Sequence, residues 1–262
     1  MPTSAWADLP APIRAAVAAH TGLVTAVSDI ADGYNCRAAA ILTMTAGAVF
    51  VKVADADDAA DREALLGPVV AGIGPRFRWH ARVDGQAVLV HDVLVGARHT
   101  QLGPGSDDLP CLAELLARAS AIPAPAQLPA WFDQWTSIAT PDEAALLQGD
   151  RLIHGDINQH NAIISGGRAW LVDWATAARG PAWADTAEAA VRAMEDDCTA
   201  VEAEAFAAAV PAWRAATPTA VQAWADVRCR AWTAAVGAHD ARHSNRRHQD
   251  LAAAHRNAHA AV

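Results

Sequence analysis

The 262-residue sequence is poor in lysine, tyrosine and methionine, with one, one and three of them. Its four cysteines (Cys36, Cys111, Cys198 and Cys229) stand 75, 87 and 31 residues apart and form no Cys-x-x-Cys pair. Neither a zinc knuckle nor a disulfide framework is therefore indicated, and reduced, mostly buried thiols are expected. No uncharged apolar run reaches the roughly 18 residues that a membrane helix needs. The first nine residues carry no basic segment leading into an apolar stretch, so no secretion signal is expected and a soluble, cytoplasmic protein is. Basic residues number 20 against 29 acidic ones, a net charge of −9, which argues against a nucleic-acid partner. With 53% hydrophobic and 19% charged residues, the chain is not a disordered, collagen-like or coiled-coil one. Its length suits one sizeable core, or two lobes sharing a cleft, rather than two independent domains.

What is present falls into a strand-rich front and a helix-rich back. Residues 23–30, 39–45, 48–53, 76–83 and 86–93 read as strands, and 57–70 as a helix with acids early and apolar residues late. Ala46-Gly47 and Asp84-Gly85 mark two hairpin turns. The loop-like stretch 96–105 places a boundary between a lobe of residues 1–95 and one of residues 96–262. In the second lobe, 109–122 and 130–148 read as helices around a proline-rich break, 151–173 as strand and turn, and everything past Pro181 as Ala-rich helix. Strands with one helix, followed by mostly helices, predict an α+β fold with segregated lobes, not an alternating parallel sheet.

Nineteen of the twenty basic residues are arginines, and the only lysine, Lys52, sits inside the apolar run Val49-Phe50-Val51-Lys52-Val53. A lone strand lysine could be an edge charge that discourages aggregation. It could equally serve as a compact point charge on a flexible stem, suited to phosphate. The densest polar cluster is His154-Gly155-Asp156-Ile157-Asn158-Gln159-His160-Asn161, followed by a short apolar strand, a Gly166-Gly167 turn and a return strand ending at Asp173-Trp174. A two-residue turn at 166–167 sets Asn161 opposite Val172, one position from Asp173. An amide and a carboxylate then stand together at the open end of a hairpin, an oxygen-donor set that suits Mg²⁺.

The motif His154-Gly155-Asp156-x-x-x-x-Asn161 with Val172-Asp173-Trp174 resembles the catalytic loop and metal-binding turn of the aminoglycoside phosphotransferase family. That family shares the protein-kinase-like bilobal fold with choline kinases. The resemblance implies a five-stranded antiparallel sheet plus helix in the first lobe and a mainly helical second lobe. It implies a Mg²⁺-dependent transfer of the γ-phosphate of ATP or GTP to a hydroxyl of a small molecule. Asp156 would accept or orient the proton of the attacking hydroxyl, and Asn161 and Asp173 would hold the metal. Lys52 would reach the nucleotide phosphates and Glu63 would pair with it. The turn Gly33-Tyr34-Asn35 would cover the phosphates, and the interlobe segment Val90-His91-Asp92-Val93 would bind the adenine edge. His154 and Asp185 would brace the catalytic loop. Many relatives have His-Pro-Gly where this chain has Asn158-Gln159-His160, and the stretch before Asp185 lacks their Gly-Asp-Pro.

Between Trp183 and Glu204 lie seven acids against Arg192 alone, among them Glu195, Asp196 and Asp197. Such a cluster would attract a cationic acceptor. An aminoglycoside or other cationic antibiotic, inactivated by phosphorylation, is therefore the expected substrate. Homoserine, choline, macrolide or nucleoside acceptors are the alternatives, and a non-catalytic nucleotide-binding module is a further one. Among ten tryptophans, Trp131, Trp135, Trp213, Trp224 and Trp232 are expected to pack in the second lobe's core. The histidines from His239 to His259 are expected on a surface helix.

Overall fold

The computed structural model describes residues 4–30 and 36–261, so the turn holding Gly33, Tyr34 and Asn35 lies outside the described residues. The chain divides into two compact units. The first runs to Gly96 and also includes Leu171–Ala175; the second holds Ala97–Trp170 and everything from Thr176. The return of Leu171–Ala175 to the first unit departs from the single boundary expected from sequence.

The first unit opens with a 3₁₀ turn at Trp6–Asp8 and helix α1 (Ala11–Thr21). Strands β1 (Val24–Asp29), β2 (Ala38–Met44), β3 (Gly47–Asp55), β4 (Phe77–Val83) and β5 (Gln86–Asp92) follow, with α2 (Asp58–Leu66) between β3 and β4. The sheet is antiparallel, in the order β1-β2-β3-β5-β4. Asp84 and Gly85 both take positive φ, 50° and 74°, as a two-residue turn matched to strand twist requires. Side chains alternate across β3. Val49, Val51 and Val53 face a core shared with Trp6, Leu9, Ile13 and Val17, which sends Phe50, Lys52 and Ala54 to the opposite face. Helix α1 was not anticipated from the sequence. It gives the first face of the sheet its cover.

In the second unit, β6 (Arg98–His99), β8 (Ala162–Ser165) and β9 (Arg168–Leu171, whose last residue belongs to the first unit) make a small sheet in the order β6-β8-β9. The β8–β9 turn is Gly166-Gly167 at φ 60° and 74°, the left-handed pair that such a turn demands. Strand β7 (Arg151–Ile153) pairs with β10 (Ala178–Gly180). The helices are α3 (Asp108–Ala119), α4 (Pro141–Leu146), α5 (Ala184–Glu195), α6 (Ala200–Ala207), α7 (Pro211–Arg214), α8 (Pro218–Val236) and α9 (Ala238–Ala260). The long helix expected over 130–148 is instead a 3₁₀ turn, Trp131–Trp135, and the short α4. Pro141 cannot continue a helix, and Thr140 with Glu143 forms a capping box that starts a new one.

Trp131, Trp135, Trp213 and Trp224 are buried, whereas Trp232 is 46% exposed. The histidine-bearing tail is not a plain surface helix, because His248 and His255 of α9 are buried. His255 Nδ1 lies 3.3 Å from Glu204 Oε1, and its Nε2 lies 3.1 Å from the Ala216 carbonyl. Among the described residues no helix is long and apolar enough to cross a membrane.

Candidate active site

In the first unit the centre is Lys52. It occupies the middle strand of the sheet, opposite Ala39 of β2 and Leu89 of β5, and is only 8% exposed. It is therefore not an edge charge. A buried ammonium is costly unless paired. Lys52 Nζ donates to Glu63 Oε2 on α2 and to Asp173 Oδ1, each at 2.7 Å. Burial alone would lower the ammonium's pKa, but the two carboxylates override it and hold the group charged, well above its ordinary range.

The segment carrying Asp173 is fastened to the same unit by its backbone. Leu171 N–H donates to the Ile73 carbonyl at 2.8 Å, and Arg62 Nη1 to the Ala175 carbonyl at 2.5 Å. Asp173 itself sits at φ 63°, a left-handed conformation uncommon for a residue other than glycine. Strain of this kind persists where surrounding bonds over-determine it, often at functional sites. Its side chain is 30% exposed. Among the described residues, the ion pair to Lys52 occupies one of its two oxygens.

The segment expected to read adenine is mostly inside the sheet. Val90 is paired with Val51 and Trp79, and His91 with Phe50 and Phe77. Asp92 donates its N–H to the Arg76 carbonyl at 2.8 Å, and its carboxylate pairs with Arg78. Val90 and His91 are thus paired with strands on both sides, and the chain leaves β5 after Asp92. The His91 ring is buried beside Phe50 and Phe77. Burial, with the Lys52 charge second, pushes its pKa down to about 4.

The second unit builds the loop from His154 to Asn161 between β7 and β8. Asp185, in the first turn of α5, accepts the His154 N–H at 2.7 Å and the Gly155 N–H at 3.0 Å. Burial raises its pKa, and the His154 ring and the two N–H groups work against that rise. Gly155 sits at φ 82°, and a Cβ there would stand 2.9 Å from the Thr176 carbonyl oxygen. Only glycine fits without strain. Thr176 Oγ1 in turn donates to the His154 carbonyl at 2.9 Å.

Asp156 is held from several sides. Its N–H donates to His154 Nδ1 at 3.3 Å, which fixes that ring nitrogen as an acceptor. Its Oδ2 and backbone carbonyl accept from Asn161 Nδ2 at 2.9 and 3.0 Å. Its Oδ1 accepts from Asn158 Nδ2 at 3.0 Å. Asn161 thus spends its amide nitrogen on Asp156 and keeps its Oδ1 as a hard oxygen donor. Beneath the loop, Arg192 Nε donates to the Ile157 carbonyl at 3.4 Å, and Arg192 Nη1 pairs with Glu195 at 2.7 Å. Among the described residues, no group of three or more His, Cys, Asp or Glu side chains is placed to hold a metal ion.

The acidic stretch is largely spoken for. Asp185 braces the loop, Glu188 pairs with Arg228, Glu195 pairs with Arg192, Glu202 caps α6, and Glu204 takes Trp213 Nε1 at 3.0 Å and faces His255. Among the described residues, Asp196 and Asp197, at the end of α5, stand outside such pairs. Asn158, Gly155, Thr176 and Arg192 make contacts in and around this loop, and the sequence reading gave them no role. An Asn two places after an Asp in a turn-forming run was the available signal for the first.

The fold of this chain is similar to that of solved small-molecule kinases and phosphotransferases. No family model matches the sequence, and no curated protein matches it either; the likeness lies in the architecture. An aminoglycoside phosphotransferase from Alicyclobacillus acidocaldarius superposes with a TM-score of 0.66 at 13% identity, over 97% of this chain and 98% of that one. A thermostable mutant of aminoglycoside phosphotransferase APH(4)-Ia, in a ternary complex with AMP-PNP and hygromycin B, gives 0.62 at 12% identity over 94% and 99%. Choline kinase LicA from Streptococcus pneumoniae gives 0.60 at 13% over 90% and 97%.

Proposed function

We propose that this chain is a Mg²⁺-dependent O-phosphotransferase that moves the γ-phosphate of ATP or GTP to a hydroxyl of a small molecule. The observation that carries the reading is the chain's only lysine, buried on the central strand and bonded by two carboxylates. A structural core has no use for such a triad, since an apolar replacement of similar volume is often as stable. A nucleotide phosphate gives the ammonium a partner and frees Asp173 for other work.

The donor chemistry fits magnesium. Asp173 offers a carboxylate oxygen and Asn161 an amide oxygen, and the ion commonly takes one or two such ligands plus substrate phosphates. When bound, it would neutralise charge on the β- and γ-phosphate oxygens. The chain's own residues do the rest. Lys52 binds phosphate oxygen. Asp156, with both carboxylate oxygens oriented by side-chain amides, takes the proton of the acceptor hydroxyl as that oxygen bonds to the γ-phosphorus. The bond from phosphorus to the β,γ-bridging oxygen breaks, and the nucleoside diphosphate leaves with the electron pair. Asp185 and Gly155 fix the loop that carries the base. The segment Val90-His91-Asp92-Val93, where β5 runs out just before Val93, would read the nucleobase edge.

For the acceptor we favour a cationic antibiotic of the aminoglycoside kind. Asp196 and Asp197 support that choice, as do the solved neighbours crystallised with hygromycin B. The test is a turnover screen with Mg·ATP and Mg·GTP over hygromycin B, other aminoglycosides, basic peptides, nucleoside antibiotics, choline and homoserine. Phosphorylation of one of them, lost with Asp156→Asn, is expected. Full activity in Asp156→Asn, or a requirement for zinc in place of magnesium, would overturn the reading. A neutral acceptor preferred at every ionic strength would remove the cationic substrate alone.

A further inference from the structure

We propose that Asn158 is a positioning residue that fixes the Asp156 carboxylate and the turn leading to Asn161. The proposal rests on the phosphotransferase reading and deepens it. A side-chain amide has two donor hydrogens and two acceptor lone pairs. Asn158 makes four hydrogen bonds with them. Its Nδ2 donates to Asp156 Oδ1 at 3.0 Å and to the Asp156 carbonyl at 3.3 Å. Its Oδ1 accepts the backbone N–H of His160 at 2.8 Å and of Asn161 at 3.1 Å. The orientation is forced, because exchanging the two ends would set –NH₂ against two N–H groups and the amide oxygen against two oxygens.

The amide therefore works in two directions at once. Forward, it closes the turn that brings Asn161 round. Backward, it takes one carboxylate oxygen of Asp156 while Asn161 Nδ2 takes the other. The carboxylate plane is pinned at both oxygens by two different side chains, and one of these is itself placed by the first. The bonds of the Asn158 side chain run to Asp156, His160 and Asn161, so its effect passes through Asp156 and Asn161. Leucine or alanine at this position would lose every bond. Aspartate would keep the two acceptances at the turn but set a second carboxylate against Asp156.

That difference separates loop closure from carboxylate placement. Backbone amide exchange should show His160 and Asn161 protected in the wild type, unprotected in Asn158→Ala, and protected again in Asn158→Asp. Turnover of Mg·ATP is then measured with whichever of hygromycin B, choline or homoserine serves as acceptor, or with water if none does. Both variants should lose about 10- to 100-fold in kcat, with the KM for ATP within about twofold of wild type, because a misplaced reacting group costs rate more than binding. Wild-type kcat in Asn158→Asp, with Asp156→Asn at least 100-fold slower, would overturn the proposal and leave the phosphotransferase reading standing. Wild-type turnover in Asp156→Asn would sink that reading itself. Rapid exchange at His160 and Asn161 in the wild type would overturn the clamp with no need of turnover.

Discussion

Acidification should weaken the first unit through His91, and the size of the effect can be worked out. The ring is buried among Phe50, Phe77 and the face of the sheet that carries Lys52, and its pKa lies at about 4. In the unfolded chain it returns to about 6.5. Between those values the unfolded chain holds a proton that the folded one refuses, so stability falls as pH drops from 6.5 toward 4 and levels off below. The gap of about 2.5 units corresponds to about 3 kcal/mol at full extent. Urea unfolding between pH 7.5 and 3.5, on wild type and His91→Phe, isolates the contribution. Carboxylates elsewhere titrate in both proteins and cancel in the difference. The wild type should lose about 3 kcal/mol relative to the variant across the window. In Lys52→Met the ring's midpoint should rise, because the second cause of its depression has gone. A wild-type-minus-variant difference that stays flat within the scatter of the extrapolation, or ring NMR signals titrating near 6.5, would refute the reasoning.

Lys52→Met leaves Glu63 buried without its cation and should cost about 3–5 kcal/mol in urea unfolding. Lys52→Arg should not restore nucleotide turnover, since a planar fork does not replace a point charge between Glu63 and Asp173. Gly155→Ala should destabilise by about 2 kcal/mol through its left-handed backbone, with more from the contact at Thr176. Its turnover should fall further than its melting temperature implies, which steady-state kinetics beside a thermal melt will show. Asp185→Ala strands the N–H groups of His154 and Gly155, at about 1–3 kcal/mol each, and both amides should become fast in hydrogen exchange.

Parts of the site written in local residue types could be read from the sequence. Asp84-Gly85 and Gly166-Gly167 announce their turns because few residues tolerate positive φ there. Lys52 stands out because it has no competitor, and the loop from His154 to Asn161 does because its polar residues are nearly consecutive. What depended on distant partners stayed hidden. A sum of charges over residues 183–204 cannot show that Arg228 and His255, supplied by α8 and α9, meet Glu188 and Glu204. The helix expected over 130–148 fails for a local reason that is legible in the sequence: Thr140-Pro141 with Glu143 is a restart signal. Helix α1 escaped because an Ala-rich segment of eleven residues carries little amphipathic contrast.

The return of Leu171–Ala175 to the first unit has a consequence for biosynthesis. The chain passes between units at Gly96, at Trp170 and at Ala175, so no single cut separates them. A fragment ending at Gly96 would emerge from the ribosome with its buried ammonium facing Glu63 alone. The second counter-ion arrives only after some 75 further residues have been made. The front half is thus a debtor to the back until synthesis is two-thirds done, and expressed by itself it should be a poorer folder than its compact sheet suggests.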